Sequence, residues 1–238
     1  MTIRLLHGDC RDVLKTLPDA SVDAIVTDPP YAIYAKFGQQ RGRPGYGTRT
    51  MQFAWDSGEA IREAIREAIR VLKRPGAAFV FAGLDSVELA RDELRATGMT
   101  VKPYAWVKTC PPPPMPGNWW PSAYEVAMYA YDSGAWFGDA DPKRRNVWVG
   151  DALRAGNSER VGHPTQKPLG LMRHIVAGVV RPGGVVLDPF AGSGTTLLAA
   201  KQLGRGGIGI EQSAEYVEIA RRRIASDAPL FAEVVTEA

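Results

Sequence analysis

The chain alternates short apolar runs with amphipathic helical patterns over most of its 238 residues, and this alternation constrains its fold more than any other feature. Several runs, such as 77–82 and 184–188, are apolar nearly throughout, which is typical of strands buried on both faces of a parallel sheet. The predicted strands are 3–6, 23–27, 77–82, 103–108, 124–131, 184–188 and 206–211, and the predicted helices are 10–17, 58–73, 85–97, 168–180, 194–204 and 213–225. Strands that alternate with helices predict an α/β fold with a doubly wound, mostly parallel sheet.

Two regions interrupt the alternation, at about 32–57 and at about 109–162, the second apart from the predicted strand 124–131. The first is rich in Gly, Arg and Gln, and the second in Pro, Trp, Gly and Arg. Long loops within a compact domain are usually functional or disordered. Because no repeat and no clear linker is found, we expect one domain over residues 1–238 that carries these two variable loops.

Composition restricts the class of protein only mildly. The net charge of +3 and the pI of about 8.9 are compatible with a nucleic-acid partner but do not require one. The two cysteines exclude a disulfide framework and a cysteine-rich zinc module, and we expect no metal site. Without a signal-peptide pattern or an apolar run of about 18 residues, a cytoplasmic location and no membrane partner are expected.

The C-terminal half contains a candidate ligand-binding turn. Residues 185–197 form a strand, a glycine-rich turn with Gly192 and Gly194, and the start of a helix. Glu211 ends the next strand, about where an acidic residue binds ribose hydroxyls in nucleotide-binding folds. Neither the complete G-x-G-x-x-G pattern nor a phosphate-binding G-x-x-x-x-G-K-[ST] loop is present. A purely structural left-handed turn would also explain the two glycines, but Asp188 and Glu211 favour a ligand that carries hydroxyl groups.

A second candidate site follows the strand at 23–27. The sequence Asp28-Pro-Pro-Tyr31 gives the chain a rigid, extended exit from the sheet. The Asp28 carboxylate and the Pro29 carbonyl are hydrogen-bond acceptors, and Tyr31 supplies an aromatic face. These groups suit a planar base with an amino group, whereas the structural alternative is a proline-stiffened loop with a solvent-facing Asp.

The chemistry of an exocyclic amine explains why two acceptors would matter. Its lone pair is delocalised into the ring, and hydrogen bonds from both N–H groups draw the nitrogen toward a pyramidal, nucleophilic geometry. Direct in-line attack on a methyl donor then needs positioning and electrostatics but no covalent intermediate. The base must be flipped out of a duplex or already be single-stranded. Methylation of cytosine carbon 5 would need a Pro-Cys nucleophile, but Cys110 precedes Pro111.

Taken together, these motifs resemble the beta class of S-adenosylmethionine-dependent DNA amino-methyltransferases. Asp28-Pro-Pro-Tyr31 precedes Asp188-Pro-Phe-Ala-Gly-Ser-Gly-Thr-Thr196, which is the order of that class. His163-Pro-Thr-Gln-Lys-Pro168 and His7-Gly-Asp-Cys10 also match. The resemblance covers nearly the whole chain and implies a class I, Rossmann-like, seven-stranded sheet with circularly permuted motif order. One strand would be antiparallel, and 124–131 is the expected one.

The resemblance also implies roles for individual residues. S-adenosylmethionine would contact Asp9, Cys10, Thr165, Gln166, Lys167, Asp188, Pro189, Phe190, Gly192, Ser193, Gly194, Thr195, Thr196 and Glu211. Glu211 would bind the ribose, Asp9 would lie near the adenine, and residues 165–167 would approach the methionine end. The target base would be held by Asp28, Pro29, Pro30 and Tyr31. Asp at the first motif position is similar to adenine-N6 enzymes, whereas cytosine-N4 enzymes more often have Ser there.

Contact with double-stranded DNA is expected from the first variable loop. Lys36, Arg41, Arg43 and Arg49 follow Tyr31 closely, where basic side chains could bind phosphates. A solvated basic loop is the structural alternative. Many members of the class are dimers, and the sequence leaves a homodimer open.

Four other hypotheses stay open at this point. The first is a cytosine-N4 methyltransferase of the same class. The second is a Rossmann-type dehydrogenase, which leaves Asp-Pro-Pro-Tyr unexplained. The third is a DNA-binding relative without catalysis, which the complete set of motif residues disfavours. The fourth is methylation of protein or RNA, which similar Pro-Pro-Tyr motifs serve, although the motif order favours DNA.

Overall fold

All strands of the described residues join in one sheet. The computed structural model describes residues 1–30, 58–84, 86–111, 120, 122–138, 145–154, 156–227 and 233–237. The strands are β1 Thr2–His7, β2 Val22–Thr27, β3 Leu72–Ala82, β4 Thr100–Lys108, β5 Tyr124–Tyr131, β6 Val147–Gly150, β7 Val185–Asp188, β8 Gly206–Glu211 and β9 Glu233–Glu237. The helices are α1 Cys10–Thr16, α2 Gly58–Val71, α3 Val87–Ala96, α4 Leu169–Val179, α5 Thr195–Gln202 and α6 Ala214–Ser226.

The sheet has the order β6-β4-β5-β3-β2-β7-β8-β1-β9. Strand β5 pairs antiparallel with β3 and with β4, and the other neighbouring pairs are parallel. The mostly parallel sheet with 124–131 as its antiparallel strand is thus confirmed. The described residues form nine strands rather than seven, because β6 and β9 extend the two edges of the sheet.

Helices cover both faces of the sheet, as a doubly wound fold requires. On one face, α4, α5 and α6 bury apolar side chains such as Met172, Leu197 and Ile224. On the other face, α1, α2 and α3 bury Leu14, Ile61 and Leu94. The central strands are apolar on both sides for this reason, and all six predicted helices are found. In the part of the chain that the structure describes, every helix is too short or too polar to cross a membrane.

The direction in which the chain winds reverses between β2 and β7. These two strands are neighbours in the sheet, although one lies near the N-terminus and the other near the C-terminus. On one side of this point the chain continues through α2 to β3, and on the other through α5 to β8. A reversal of this kind opens a crevice at the carboxyl ends of the strands, where open α/β sheets bind their ligands.

Candidate active site

A cleft with an empty volume of about 380 Å³ lies at the carboxyl ends of β1, β7 and β8. This volume includes space that is open to the solvent. It is lined by Gly8, Asp9, Cys10, Arg11, Ala60, Pro189, Phe190, Ile210, Glu211 and Gln212. The structure therefore brings together residues from both ends of the sequence. Five residues that the motif resemblance assigns to the cofactor are among them, namely Asp9, Cys10, Pro189, Phe190 and Glu211.

The turn between β7 and α5 needs glycine at two positions. Gly192 and Gly194 have φ angles of 50° and 73°, in the left-handed region that costs other residues energy. A Cβ atom on Gly192 would lie 3.0 Å from Nε2 of His163, and one on Gly194 would lie 2.9 Å from the Cβ of Ala220. The glycines thus provide both the backbone conformation and the room for close packing around the turn.

Asp188 connects the two motifs beneath this turn. Its Oδ1 atom accepts a hydrogen bond from the Thr27 hydroxyl at 2.7 Å and one from the Phe190 amide at 3.1 Å. Its Oδ2 atom accepts from the Thr196 hydroxyl at 2.6 Å. The residue is only 3% exposed, and burial raises the pKa of its carboxyl to about 6. Asp188 therefore fixes the end of β2 against the turn, and it does not line the cleft.

Ser193 and Thr195 are also buried and have protein partners. Nη1 of Arg223 donates to the Thr195 hydroxyl at 2.7 Å, and the Ser193 and Thr195 hydroxyls lie 3.3 Å apart. Like the Thr196 side chain, they are buried and stabilise the turn from the protein interior. Of the predicted cofactor residues, the structure thus separates those that line the cleft from those that hold its wall in shape.

Glu211 holds the other side of the turn. Its Oε2 atom accepts from the Gly192 amide at 2.9 Å, and Oε1 accepts from the Ser213 amide at 2.8 Å. Burial raises the pKa of the Glu211 carboxyl above its ordinary value. A carboxylate has about four acceptor positions, so these two bonds leave capacity for a pair of ligand hydroxyls.

Asp9 and Cys10 differ in chemical character although both line the cleft. Asp9 caps α1 by accepting from the Arg11 amide at 2.9 Å and forms an ion pair with the Arg11 guanidinium at 2.6 Å. Hydrogen bonds from Arg11 hold the pKa of Asp9 below its ordinary value. Burial raises the pKa of the Cys10 thiol to about 12, so this cysteine is neutral and unsuited to nucleophilic attack.

Asp28 lies directly after β2, and Pro29 behind it is buried. Nζ of Lys167 lies 2.6 Å from Oδ2 of Asp28 and 3.0 Å from Oε2 of Glu125. The Lys167 side chain is 7% exposed and lies over the ring of Phe81, with Nζ 5.1 Å from the ring centroid. The structure thus places Lys167, predicted near the methionine end of the cofactor, in contact with Asp28 of the predicted catalytic motif.

The segment before α4 is held in place by its own hydrogen bonds. The Gln166 amide accepts from the Val161 N–H at 3.0 Å and donates to the Glu159 carbonyl at 2.7 Å, whereas Thr165 is exposed. Burial lowers the pKa of His163 to about 4, so its ring is neutral where it packs on Tyr216. The Gln166 side chain thus stabilises the segment that presents Lys167.

Sequence reasoning missed Glu125 and Lys108. Glu125 is the only charged residue in the strand Tyr124–Tyr131, and its Oε1 atom lies 2.9 Å from Nζ of Lys108. A single carboxylate within an apolar strand is the signal that could have identified it. Its partners lie on other elements, and no spacing along the chain indicates them.

Several predicted residues lie outside the described part of the chain. They are Tyr31, Lys36, Arg41, Arg43 and Arg49. Among the residues that the structure does describe, no group of three His, Cys, Asp or Glu side chains could hold a metal ion. The side chain of Trp120, in the second variable loop, is 90% exposed and therefore does not pack in the core.

The two motifs meet at the end of the sheet where the carboxyl ends of β2 and β7 lie side by side. Strands β2 and β7 are parallel neighbours, with Ile25 opposite Leu187, so Asp28 and the turn after Asp188 leave the sheet side by side. The bond from Thr27 to Asp188 spans 161 positions of sequence and connects the two exits directly. Asp28 and the cleft residues Pro189 and Phe190 therefore follow neighbouring strands at the same end of the sheet.

Comparison with known proteins gives a consistent assignment. The DNA methylase family model matches residues 22–222. The type II methyltransferase M2.LlaDCHI of Lactococcus lactis subsp. cremoris is 29% identical over 240 residues, which span 92% of this chain and 88% of that protein. M2.DpnII of Streptococcus pneumoniae is 29% identical over 243 residues, which span 94% and 90%. The crystal structure of an M1.HpyAVI–SAM complex has a TM-score of 0.73 and 29% identity, and the match covers 94% of this chain and 99% of that one.

The family match includes both motifs of the crevice, and the similar proteins are covered over most of their length. The catalytic motif precedes the cofactor motif, which is the beta-class order. The chain belongs to the DNA methylase family.

Proposed function

We propose that this protein transfers a methyl group from S-adenosylmethionine to N6 of adenine in double-stranded DNA. The observation that carries the proposal is the shared crevice, in which Asp28 and the glycine-rich turn leave the neighbouring strands β2 and β7. Family membership supports DNA as the substrate. The structure of a related protein with SAM supports the cofactor.

The chemistry of the cleft residues fits this cofactor. We propose that the Glu211 carboxylate accepts the ribose hydroxyls, that Phe190 packs on the adenine, and that Asp9 accepts its amino group. Gly192 and Gly194 would let the backbone approach the ligand closely. Thr165, which is exposed in the segment before α4, stays our candidate for the methionine end. When bound, S-adenosylmethionine supplies a sulfonium methyl group, which is the electrophile.

The catalytic motif would activate the target amine. The Asp28 carboxylate and the Pro29 carbonyl are proposed to accept one N–H each, which draws the nitrogen lone pair out of the ring. Tyr31 would stack on the flipped base, and Pro30 keeps the loop extended. Transfer of the methyl group to the nitrogen would break its bond to sulfur, whose electron pair stays on the leaving S-adenosylhomocysteine. The methylated amine is then cationic, and Asp28 would stabilise that charge and take up the proton that the nitrogen releases.

Adenine N6 is proposed over cytosine N4 because the first motif position is Asp28. The same two acceptors could hold the N4 amine of cytosine, so a cytosine-N4 enzyme is the second candidate. A DNA-binding relative without activity is disfavoured because Asp28, Phe190 and Glu211 are all in place.

DNA contact is proposed for the basic loop that contains Lys36, Arg41, Arg43 and Arg49, outside the described residues. We propose one methyltransferase domain over residues 1–238 that acts in the cytoplasm. A homodimer stays a prediction, which light scattering of the purified protein would test.

The test is direct identification of the modified base. The protein would be incubated with genomic DNA and S-adenosylmethionine that carries a trideuterated methyl group, and the nucleosides would be separated by mass spectrometry. Label in N6-methyldeoxyadenosine is expected, and Asp28→Ala protein serves as the control that gives none. Label in N4-methyldeoxycytidine would establish the second candidate, and absence of label from both would contradict the proposed function.

A further inference from the structure

Four side chains of alternating charge, Lys108, Glu125, Lys167 and Asp28, extend from the end of β4 to the proposed catalytic motif. Lys108 contacts one oxygen of Glu125 at 2.9 Å, and Lys167 contacts the other oxygen at 3.0 Å. Lys167 also contacts Asp28 at 2.6 Å. Of these four residues, only Asp28 belongs to the motif that is predicted to hold the target base. The other three therefore need an explanation of their own.

The positions of these residues show how Lys167 bridges the sheet. Glu125 lies on β5, and Asp28 follows β2, with β3 between these two strands. The Lys167 side chain crosses β3 over the ring of Phe81. Glu125 is set opposite Trp106 in the antiparallel ladder between β4 and β5. The bridge thus connects a carboxylate on a paired strand to a carboxylate in an extended loop.

The charges of the bridge depend on one another. Burial on its own lowers the pKa of Lys167, but Asp28 and Glu125 outweigh it and raise that pKa above its ordinary value. Burial likewise raises the pKa of Glu125, yet Lys167 and Lys108 bring it below its ordinary value. Removal of one partner of a buried ion pair destabilises the folded protein sharply, because the charge of the other partner is left uncompensated.

We propose that Lys167 and Glu125 are positioning residues for methyl transfer, which hold the Asp28 carboxylate in the orientation that accepts the target amine. The inference rests on the proposed function, since it concerns the same reaction. Lys167 binds Oδ2 of Asp28, and Glu125 fixes Lys167 from the opposite side.

Lys167 is required for a second reason. Oxygens of Asp28 and Glu125 lie within 3.0 Å of one nitrogen, so the two carboxylates are close neighbours. Without the ammonium between them they repel each other, and Asp28, in the loop, is the one expected to turn away. Removal of the Glu125 charge in the same protein should relieve that repulsion.

The test compares Lys167→Met, Glu125→Gln and the double variant with wild type. Lys167→Met should lower kcat about 100-fold, the size of effect known for a small displacement of a catalytic group. KM for DNA and the Kd for S-adenosylhomocysteine should stay near wild type. Glu125→Gln should lower kcat less, because Lys167 remains on Asp28. The double variant should be more active than Lys167→Met, and Lys167→Arg should recover part of the activity.

Matched controls come from ion pairs elsewhere in the fold. Lys73→Met removes an ammonium that contacts Asp23 at 3.1 Å, and Glu93→Gln removes a buried carboxylate that contacts Arg66 at 2.7 Å. Both controls should keep kcat per folded molecule. A crystal structure of Lys167→Met gives a readout without turnover, and the Asp28 carboxylate should be displaced in it.

Wild-type kcat in Lys167→Met, or an Asp28 carboxylate that keeps its position in the variant crystal, would overturn the inference. A raised Kd for S-adenosylhomocysteine with unchanged kcat would do so too, because it would assign Lys167 to the cofactor. A wild-type protein that methylates no amino nitrogen would instead contradict the proposed function. The crystal readout would then still decide whether Lys167 positions Asp28.

Discussion

The two sides of the crevice are built by different physical means. On the cofactor side, neutral hydroxyls and backbone amides surround Asp188 and Glu211, and each carboxylate oxygen accepts at least one hydrogen bond from the protein. On the catalytic side, Asp28 is held by the buried ammonium of Lys167. Burial raises the pKa values of the Asp188 and Glu211 carboxyls. The contact between Asp28 and Lys167 depends instead on a balance of opposite charges.

This difference indicates what each side must do. On the proposed function, the cofactor side has to bind one ligand in one orientation, so hydrogen bonds and left-handed glycines can fix its shape in advance. The catalytic side must present a charge to an amine whose own charge develops during the reaction, which favours a carboxylate fixed by a cation. Variants on the two sides should therefore separate turnover from binding.

The largest effect is expected from Asp28→Ala. Loss of the acceptor should lower kcat by about 10²–10³-fold, which is the cost of losing one electrostatic contact to a developing charge. The Kd for S-adenosylhomocysteine should stay near wild type, because Asp28 is not among the residues that line the cleft. Single-turnover kinetics and calorimetry on one preparation measure the two quantities. Retained turnover would remove Asp28 from the mechanism.

The opposite pattern is expected from Glu211→Ala. Hydrogen bonds to a charged group contribute about 1.5–3 kcal/mol, so the Kd for S-adenosylhomocysteine should rise roughly 10- to 100-fold. At saturating cofactor, kcat should fall much less than in Asp28→Ala. Glu215→Ala is the control, since that side chain lies in the first turn of α6 outside the cleft. An unchanged Kd in Glu211→Ala would exclude Glu211 from the ribose site.

Asp188→Asn should change how stability depends on pH. The pKa of Asp188 rises from 3.8 to about 6 in the folded protein, so the folded state binds the proton more tightly than the unfolded state. The stabilisation that comes from the raised pKa of Asp188 is therefore present at low pH and is lost as the pH rises through about 4 to 6. The stability advantage of wild type over the variant should shrink over that window, by on the order of 1–3 kcal/mol.

Urea unfolding at several pH values measures that change. Asp132→Asn is the control with the opposite sign. Burial alone would raise the pKa of Asp132, but the Arg74 guanidinium and the Gly76 amide hold it below 3.8. The advantage of wild type over this variant should be lost only as the pH falls below about 4. Equal pH profiles for Asp188→Asn and wild type would show that Asp188 titrates normally.

The smallest effect is expected from Gly192→Ala. A left-handed conformation costs a non-glycine residue about 1–2 kcal/mol, and the added Cβ would lie 3.0 Å from the His163 ring. The free energy of unfolding should fall by about that amount, and the Kd for S-adenosylhomocysteine should rise with it. Gly98→Ala is a matched control, since its φ is 81° but nothing lies within 4 Å of the added Cβ. Equal behaviour of the two variants would mean that crowding by His163 is unimportant.

Much of the fold could be predicted because central strands are apolar on both faces. Strands β2, β7 and β8 were identified from such runs, and Asp28 and Glu211 were identified because they end strands. Strand β6, with the sequence VWVG, was missed because it is four residues long and lies at the sheet edge within a variable loop. Strand β9, with the sequence EVVTE, is also absent from the predicted strands. It follows the last helix and lies at the opposite edge of the sheet.

The candidate site was predictable only in part. Motif resemblance grouped Ser193, Thr195 and Thr196 with the cofactor residues, and spacing cannot tell a side chain that lines a cleft from one buried beneath it. The bridge from Glu125 to Asp28 joins three elements that are distant in sequence. Periodicity along one strand contains no information about such a contact.

A crystal structure with S-adenosylhomocysteine and a short duplex that contains the target base tests the central claim most directly. The account predicts that the target amino nitrogen lies within about 3 Å of the Asp28 carboxylate and of the Pro29 carbonyl. The ribose of the cofactor should contact Glu211, with its sulfur facing that nitrogen. A target base held away from Asp28, or a cofactor bound outside the cleft of Phe190 and Glu211, would contradict it.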